Sequence, residues 1–397
     1  MIRIIHLSDF HLQKENPAIT QKKLIESLIA DLEDWITPNS IIVISGDLID
    51  KSGINFKDPQ LKFDFFKEIV LEEIIKFEPS LKNRIFMVPG NHDFDRTQLD
   101  EFRDFPMREK LLENPDSVER YIQSVRQNST SLTGIEDFKL FEKEFYESTP
   151  KFDDYYFSSF DSTFLLEDGK IGISAFNSSW LCYDDDDLGK ILLGESQILN
   201  SLEKISNTEL KIAIIHHPFD YFVGTDYKKF RGTLYSNYDI VLLGHTHKLI
   251  SQKLDDLDGN LFISVGKSLN SLNSDSSEYS NGYSIIDYFE NDRIEVYHRK
   301  YINTHSNFVV NTDIGNDKGM KVYEIPKDLE LKLLYDAREI LENIKEEHFP
   351  KLNDDLILNI SQSNKNKLSE VFVEPVIGNL PESNIDSDEK VSYFSIA

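Results

Sequence analysis

The chain has 397 residues, 40% of them hydrophobic, and a formal net charge of −27. The apolar content is enough for a large packed core and excludes a globally disordered chain, while the single cysteine, Cys182, excludes an internal disulfide and a cysteine metal cluster. Duplex nucleic-acid binding depends on lysine and arginine, so this acidity argues against a free-standing nuclease without excluding one. Because no run of about twenty apolar residues and no signal-peptide core is found, we expect a cytoplasmic protein without a membrane span.

The first ninety residues alternate between two hydrophobic periodicities. Short apolar runs predict buried strands at 2–7, 40–45 and 84–88. Helical spacing of leucine, isoleucine and aromatic residues predicts helices at 18–36 and 60–77. This β-α-β-α-β order predicts an α/β domain with a central sheet.

Residues 94–150 interrupt this alternation. They are charged, mostly helical in pattern and punctuated by prolines, and we interpret them as a helical insertion or cap. A helix near 195–205 is expected among further strands, which are predicted at 154–160, 163–167, 170–176, 211–216, 239–244, 261–265, 283–289 and 293–298.

The pattern loosens after about residue 306. The main domain is therefore expected to cover 1–305, followed by a C-terminal extension at 306–350 with a helix at 328–348. Residues 351–397 are rich in Asn, Ser, Asp and Glu and are expected to form a linker or flexible tail.

Five polar motifs directly follow predicted strands. They are Asp9-Phe10-His11, Gly46-Asp47, Gly90-Asn91-His92-Asp93, His216-His217-Pro218 and Gly244-His245-Thr246-His247. In open α/β sheets, ligands bind outside the carboxyl ends of the strands, so we expect these side chains to meet at one edge. Six of the ten histidines lie in these motifs, which is the clustering that a metal site predicts.

The side chains of these motifs favour divalent cations. Carboxylate, amide oxygen and imidazole without thiolate suit manganese, iron or zinc, and the sequence leaves the choice among them open. One tetrahedral zinc takes about four ligands, so a larger set suits two ions that share a bridging carboxylate. The candidate ligands are Asp9, His11, Asp47, Asn91, His216, His245 and His247.

In their order along residues 1–300, these motifs resemble the calcineurin-like metallophosphoesterase superfamily. The resemblance implies a four-layer α/β/β/α sandwich of two mixed sheets with the ions at the strand ends. It assigns the first ion to Asp9, His11, Asp47 and His247, and the second to Asp47, Asn91, His216 and His245, with Asp47 bridging. His92 is not a ligand in this family and would stabilise the transition state or protonate the leaving alkoxide, and Asp93 would orient His92 or another nearby group.

The resemblance implies hydrolysis of a phosphodiester or phosphomonoester, with a nucleotide-type substrate. Two ions about 3.5–4 Å apart clamp a phosphoryl group and acidify a bridging water, and the resulting metal-bridging hydroxide attacks phosphorus. One alternative is a nuclease on DNA or RNA that uses the 94–150 insertion. Another is an effector domain of a larger defence-type assembly, because residues 369–375 resemble the connector before NTPase domains in some bacterial defence proteins. An NTPase or other partner domain would then adjoin the C-terminal tail.

Histidines outside the ligand set receive simpler interpretations. His6 lies inside the first predicted strand and is expected to be a hydrogen-bonded core residue. His217 follows a candidate ligand and either touches substrate or faces outward. The segment 177–180 either lines the pocket or forms a polar turn capped by Trp180. The remaining histidines are expected at the surface: His298, His305 and His348.

Overall fold

The computed structural model describes most of the chain up to residue 324. The described residues are 1–13, 19–58, 61–114, 116–128, 132–148, 154–183, 187–256, 259–270, 281–290 and 293–324. They belong to a compact unit, Met1–Ile325. The predicted helix at 328–348 and the predicted tail at 351–397 lie outside the described residues. Within the described ranges, no helix is long and apolar enough to cross a membrane.

Strands and helices alternate through the first half of this unit, and strands dominate its end. The strands are β1 Ile2–Leu7, β2 Ile41–Ile44, β3 Ile85–Met87, β4 Asp154–Phe157, β5 Asp161–Leu166, β6 Ile171–Phe176, β7 Leu210–Ile215, β8 Ile240–Leu243, β9 Ile250–Asp256, β10 Gly259–Val265, β11 Gly282–Phe289, β12 Arg293–Ile302, β13 Asn307–Val310 and β14 Met320–Glu324. The helices are α1 Ile19–Leu32, α2 Lys62–Phe66, α3 Glu72–Phe77, α4 Asp104–Glu113, α5 Asp116–Asn128, α6 Glu136–Glu147, α7 Glu195–Ile205 and α8 Gly224–Asn237, with a π-helical turn at Lys67–Leu71 between α2 and α3.

The strands form two mixed sheets. The first has the order β13-β12-β11-β1-β2-β3, with β14 also on β12, and the second has the order β4-β5-β6-β7-β8-β10-β9. Parallel pairs occupy the middle of each sheet: β1-β2-β3 in the first and β6-β7-β8-β10 in the second. Parallel strands are typically buried on both faces, which explains the continuous apolar runs of β2 and β8.

The two sheets pack face to face. Phe86 of β3 and Phe164 of β5 meet edge to face, with ring centroids 4.8 Å apart. Deeper in the interface, His6 of β1 hydrogen-bonds Ser264 of β10 at 3.3 Å and Ser45 at 2.9 Å. The prediction that His6 is a hydrogen-bonded core residue is therefore confirmed.

Helices cover the outer faces of both sheets. On the first sheet, Asp31 of α1 accepts hydrogen bonds from the Tyr283 hydroxyl at 2.5 Å and from Arg299 Nε at 2.9 Å. On the second sheet, α7 packs against β5 and β6, and α8 packs against β10. The predicted α/β fold with two mixed sheets between helices is confirmed.

The segment predicted as an insertion holds α4, α5 and α6, between β3 and β4. Its last helix is part of the core, since Phe141 stacks on Phe63 of α2 with centroids 5.3 Å apart. The Tyr146 hydroxyl also accepts the Met87 backbone N–H at 3.1 Å. These contacts fix the helices beside the carboxyl end of β3.

The structure differs from the predicted domain boundary at residue 305, because the first sheet contains two later strands. β13 and β14 pair antiparallel with β12, so the sheet continues past residue 305, where the sequence pattern placed the domain boundary. These edge strands are half exposed and carry little apolar periodicity, which is why the sequence pattern missed them.

The expectation of a surface location is wrong for His298. It is 1% exposed, because it shares the inward-facing parity of Ile294 and Val296 along β12. His305 is exposed, as expected, and His348 lies outside the described residues.

Candidate metal centre

The five motifs converge where parallel strands of both sheets end. The loops after β1 and β2 are tied together, since Asp9 N donates to Gly46 O and His11 N donates to Asp47 O, each at 3.0 Å. The loops after β7 and β8 are tied in the same way by Gly244 N and His216 O at 2.8 Å. His216 Nδ1, 2.7 Å from Ser45 O, joins the two groups of loops.

One cluster of donor atoms combines the ends of β1 and β8. His247 Nε2 lies 3.2 Å from Asp9 Oδ1 and 3.1 Å from His11 Nε2. His11 Nε2 lies 3.7 Å from both Asp9 Oδ1 and Asp47 Oδ2. Carboxylate oxygens and imidazole nitrogens at these separations can share one cation.

A second cluster combines the ends of β3, β7 and β8. Asn91 Oδ1 lies 2.9 Å from His245 Nδ1 and 3.1 Å from His216 Nε2. His216 Nε2 also lies 3.4 Å from Asp47 Oδ2. Asp47 Oδ2 therefore faces both clusters, and a carboxylate in that position suits a bridge between two ions.

Several details suit this site to cations. Asp9 Oδ1 is buried and accepts no hydrogen bond of regular geometry, although His247 Nε2 lies 3.2 Å away, so a cation shared by these two atoms would offset the cost of burying the oxygen. Five of the seven candidate ligands also have left-handed backbone conformations, which non-glycine residues avoid and which concentrate at functional sites. They are Asp9 (φ 55°), His11 (φ 44°), Asp47 (φ 55°), His245 (φ 73°) and His247 (φ 58°).

Hydrogen bonds from the backbone orient the donor groups. Ser45 O accepts a hydrogen bond from His216 Nδ1–H, and in this neutral tautomer the lone pair of Nε2 points toward Asp47 and Asn91. Asp9 Oδ2 accepts from His245 N at 3.2 Å and from the Ser8 hydroxyl. Burial raises the pKa of the Asp47 carboxyl, but the facing imidazoles outweigh burial and hold that pKa well below its usual range.

The backbone at Gly90 lies against Asp47, which leaves no space for a side chain at this position. A Cβ on Gly90 would lie 2.0 Å from Asp47 Oδ1 and 2.4 Å from Asp47 N. The glycine of the third motif is therefore required by the position of Asp47, rather than by a turn alone.

His92 lies at the edge of the first cluster, its ring centroid 4.5 Å from that of His11. Its backbone N–H donates to Asp47 Oδ1 at 2.8 Å, and its Nδ1 lies 3.0 Å from Asp50 Oδ1. Burial lowers the pKa of His92, but the carboxylates of Asp47 and Asp50 outweigh burial and raise it to about 8. The sequence analysis missed Asp50, although its spacing in Gly46-Asp47-x-x-Asp50 was the available signal.

The structure removes one of the two alternatives for each of Asp93 and His217. Asp93 accepts backbone N–H groups of Leu48, Ile49 and Gly90, so its contacts are with the loops rather than with the His92 ring. His217 is fully buried, with Nδ1 2.8 Å from Ser178 Oγ, so it does not face outward. Its ring packs 4.8 Å, centroid to centroid, from those of two candidate ligands: His216 and His245.

Comparisons with known proteins place this site in context. The model of the calcineurin-like phosphoesterase family matches residues 2–249. The uncharacterized metallophosphoesterase-like protein YydB of Bacillus subtilis is 23% identical over 256 residues, which are 62% of this chain and 49% of that protein. The chain thus spans about half the length of this curated relative.

Two solved structures show weaker likeness. Purple acid phosphatase PPD1 of yellow lupin (Lupinus luteus) is 12% identical, with a TM-score of 0.42 over 78% of this chain and 52% of that chain. The sulfate thiohydrolase SoxB of Thermus thermophilus is 11% identical, with a TM-score of 0.36 over 87% of this chain and 60% of that chain. At these TM-scores, the similarity to the two structures does not indicate an activity for this chain.

Proposed function

The chain belongs to the calcineurin-like phosphoesterase family, whose members are metal-dependent phosphoric ester hydrolases, and we propose that it hydrolyses a nucleotide-type phosphodiester or phosphomonoester at a centre of two divalent ions. The observation that carries this proposal is the position of Asp47 Oδ2, 3.7 Å from His11 Nε2 and 3.4 Å from His216 Nε2. One carboxylate oxygen that faces two donor clusters suits a bridging ligand.

The donor set fits two ions of the manganese, iron or zinc type. Asp9, His11, Asp47 and His247 would hold one ion, and Asp47, Asn91, His216 and His245 would hold the other. When bound, the ions supply positive charge to the phosphoryl oxygens and acidify a water.

The chain's own groups would assist the leaving oxygen. His92 stands at the edge of the site with its Nδ1 held by Asp50, so its Nε2 can carry a proton toward the departing alkoxide. Its backbone N–H meanwhile fixes Asp47 Oδ1. Asp50 thus acts as a positioning residue, because its carboxylate favours the protonated imidazole and holds its orientation, together with the Lys51 backbone N–H, 3.2 Å from the same Nδ1.

The charge distribution favours a small substrate over nucleic acid. Three arginines of the inserted segment pair with carboxylates: Arg103 with Asp104 at 2.8 Å, Arg108 with Asp187 at 2.8 Å, and Arg126 with Asp161. Arginines neutralised in this way offer little to a phosphate backbone. A nuclease activity stays a prediction of the sequence, as does a C-terminal NTPase partner, since that segment lies outside the described residues.

Hydrolysis of bis-p-nitrophenyl phosphate and p-nitrophenyl phosphate, assayed with manganese, iron and zinc, tests the proposal. We expect metal-stimulated release of p-nitrophenol, abolished by a chelator and restored by added metal. A labelled oligonucleotide assayed over a range of salt concentrations separates the nuclease alternative, whose activity should fall steeply with salt. Metal-loaded protein that is inert on both the diester and the monoester contradicts the proposed function.

A further inference from the structure

A cavity of about 400 Å³ lies between the inserted helices and the loop after β6. Its apolar lining includes Phe94, Met107 and Leu132, and its polar lining includes Arg103 and Glu136. Cavities that bind small organic ligands have this size and this mixture of apolar walls and few polar groups.

Aromatic rings form much of the cavity wall. Tyr121 of α5 and Trp180 lie nearly parallel, with ring centroids 5.6 Å apart and an interplanar angle of 17°. Tyr183 also lines the cavity, with the Arg108 guanidinium 5.4 Å from its ring centroid. Trp180 is only 2% exposed and covers one face of Tyr121, so a planar ligand would stack on the half-buried rings of Tyr121 and Tyr183.

The cavity adjoins the candidate metal centre at two places. Phe94 follows His92 by two residues, so their Cα atoms are at most about 7 Å apart. Cys182 also lines the cavity, and its Sγ lies 3.9 Å from Nε2 of His217, which packs against His216 and His245. A ligand in the cavity is therefore separated from the candidate metal ligands by two side chains, those of Cys182 and His217.

We infer that this cavity binds the nucleobase of the substrate while its phosphorus lies at the metal centre. The inference rests on the proposed function and deepens it, since it names nucleotides as the substrate class. Stacking recognises a base without phosphate contacts, which suits a chain with a net charge of −27. At the exposed rim, Arg103 Nε and Nη2 bond Asp104 and Thr133, and the remaining N–H groups of Arg103 and the Glu136 carboxylate offer a donor and an acceptor for the edge of the base.

Tryptophan fluorescence tests the cavity without depending on hydrolysis. The chain has two tryptophans and 17 tyrosines, so Trp35→Phe leaves Trp180 as the only residue that emits under excitation selective for tryptophan. Titration with adenosine or cytidine should quench this emission, whereas ribose should not. This comparison needs no substitution inside the cavity, and equal responses to nucleosides and ribose overturn the inference.

Removal of one aromatic wall sharpens the test. In the Trp35→Phe background, Tyr121→Leu should weaken nucleoside binding roughly tenfold, because one stacking contact is lost. The matched control is Tyr156→Leu on β4, a partly exposed tyrosine that is not among the residues lining the cavity, and it should bind nucleosides unchanged. Equal weakening in both variants contradicts a stacking role for Tyr121.

Inhibition separates this inference from the proposed function. Nucleosides should compete with bis-p-nitrophenyl phosphate, and ribose should not. Hydrolysis that nucleosides leave unaffected overturns the cavity inference and leaves the proposed function standing. Nucleoside-dependent quenching in a metal-loaded protein that hydrolyses no phosphoester overturns the function and leaves the cavity as a nucleoside site.

Discussion

Asp50 Oδ1 lies 3.0 Å from His92 Nδ1, and the same imidazole is 4.5 Å, centroid to centroid, from the ring of His11. The carboxylate thus holds a candidate proton donor at the edge of the proposed metal centre. We predict that Asp50→Asn lowers kcat by roughly 10- to 100-fold, with a smaller change in KM, because partners of this kind orient a catalytic group. Steady-state kinetics with bis-p-nitrophenyl phosphate measures the changes in kcat and KM separately.

The matched control for Asp50→Asn is Asp64→Asn, at an exposed position on α2, which should keep the original rate. His92→Ala should cost at least as much as Asp50→Asn, and the double variant should cost little more than His92→Ala alone. Additive losses would show that Asp50 acts independently of His92.

Asp47→Asn tests the bridging position. The amide carries no charge to offset two cations, so we predict fewer bound ions than the about two per chain expected of a dinuclear site, together with loss of hydrolysis. Elemental analysis of the purified, metal-supplemented variant gives the metal content independently of activity. Full metal content with undiminished activity in Asp47→Asn would exclude a bridging carboxylate at this position.

Gly90→Ala tests the close packing of the site. The added methyl group would lie 2.0 Å from Asp47 Oδ1, so Asp47 or the loop must move, and we predict a lower Tm and weaker metal binding. The matched control is Gly232→Ala within α8, where a Cβ meets nothing within 4 Å. That variant should gain about 0.5–1 kcal/mol of unfolding free energy, because alanine favours a helix over glycine. Thermal unfolding measures the Tm of both variants, and we expect it to fall in Gly90→Ala and to rise in Gly232→Ala.

His298 makes the fold sensitive to acid. Burial, together with the smaller effects of Lys321 and Lys267, lowers the pKa of its imidazole from 6.5 to about 4. An imidazole whose folded pKa is lowered contributes full stability above about pH 6.5 and loses it as the pH falls towards 4. His298→Gln removes this titration, so its unfolding free energy should fall less than that of the original chain over this interval.

The difference for His298→Gln should reach up to about 3 kcal/mol near pH 4. Denaturant unfolding at several pH values measures it, and the exposed His305→Gln provides the control. Parallel pH curves for the original chain and His298→Gln would show that His298 does not titrate across this interval.

The sequence by itself determined the parallel core and the ends of its strands. Runs such as Ile41–Ile44 are too short for a typical helix and predict buried strands, so the motif that follows each run is expected at a carboxyl end. Asp9 and Asp47 follow neighbouring parallel strands, so their proximity follows from periodicity and order along the chain. His216 follows a strand of the second sheet, so its approach to Asp47 depends on how the two sheets pack.

The tertiary structure decided those features that depend on contacts between residues distant in sequence. The contact of Asp50 with His92 spans 42 residues, and no local periodicity encodes it. His298 is buried because its side chain lies on the inward face of β12, and the half-exposed strands β13 and β14 that pair with β12 carry too little apolar pattern to be predicted. The cavity arises only where α5 brings Tyr121 against Trp180, and such packing depends on side-chain volume and direction in three dimensions.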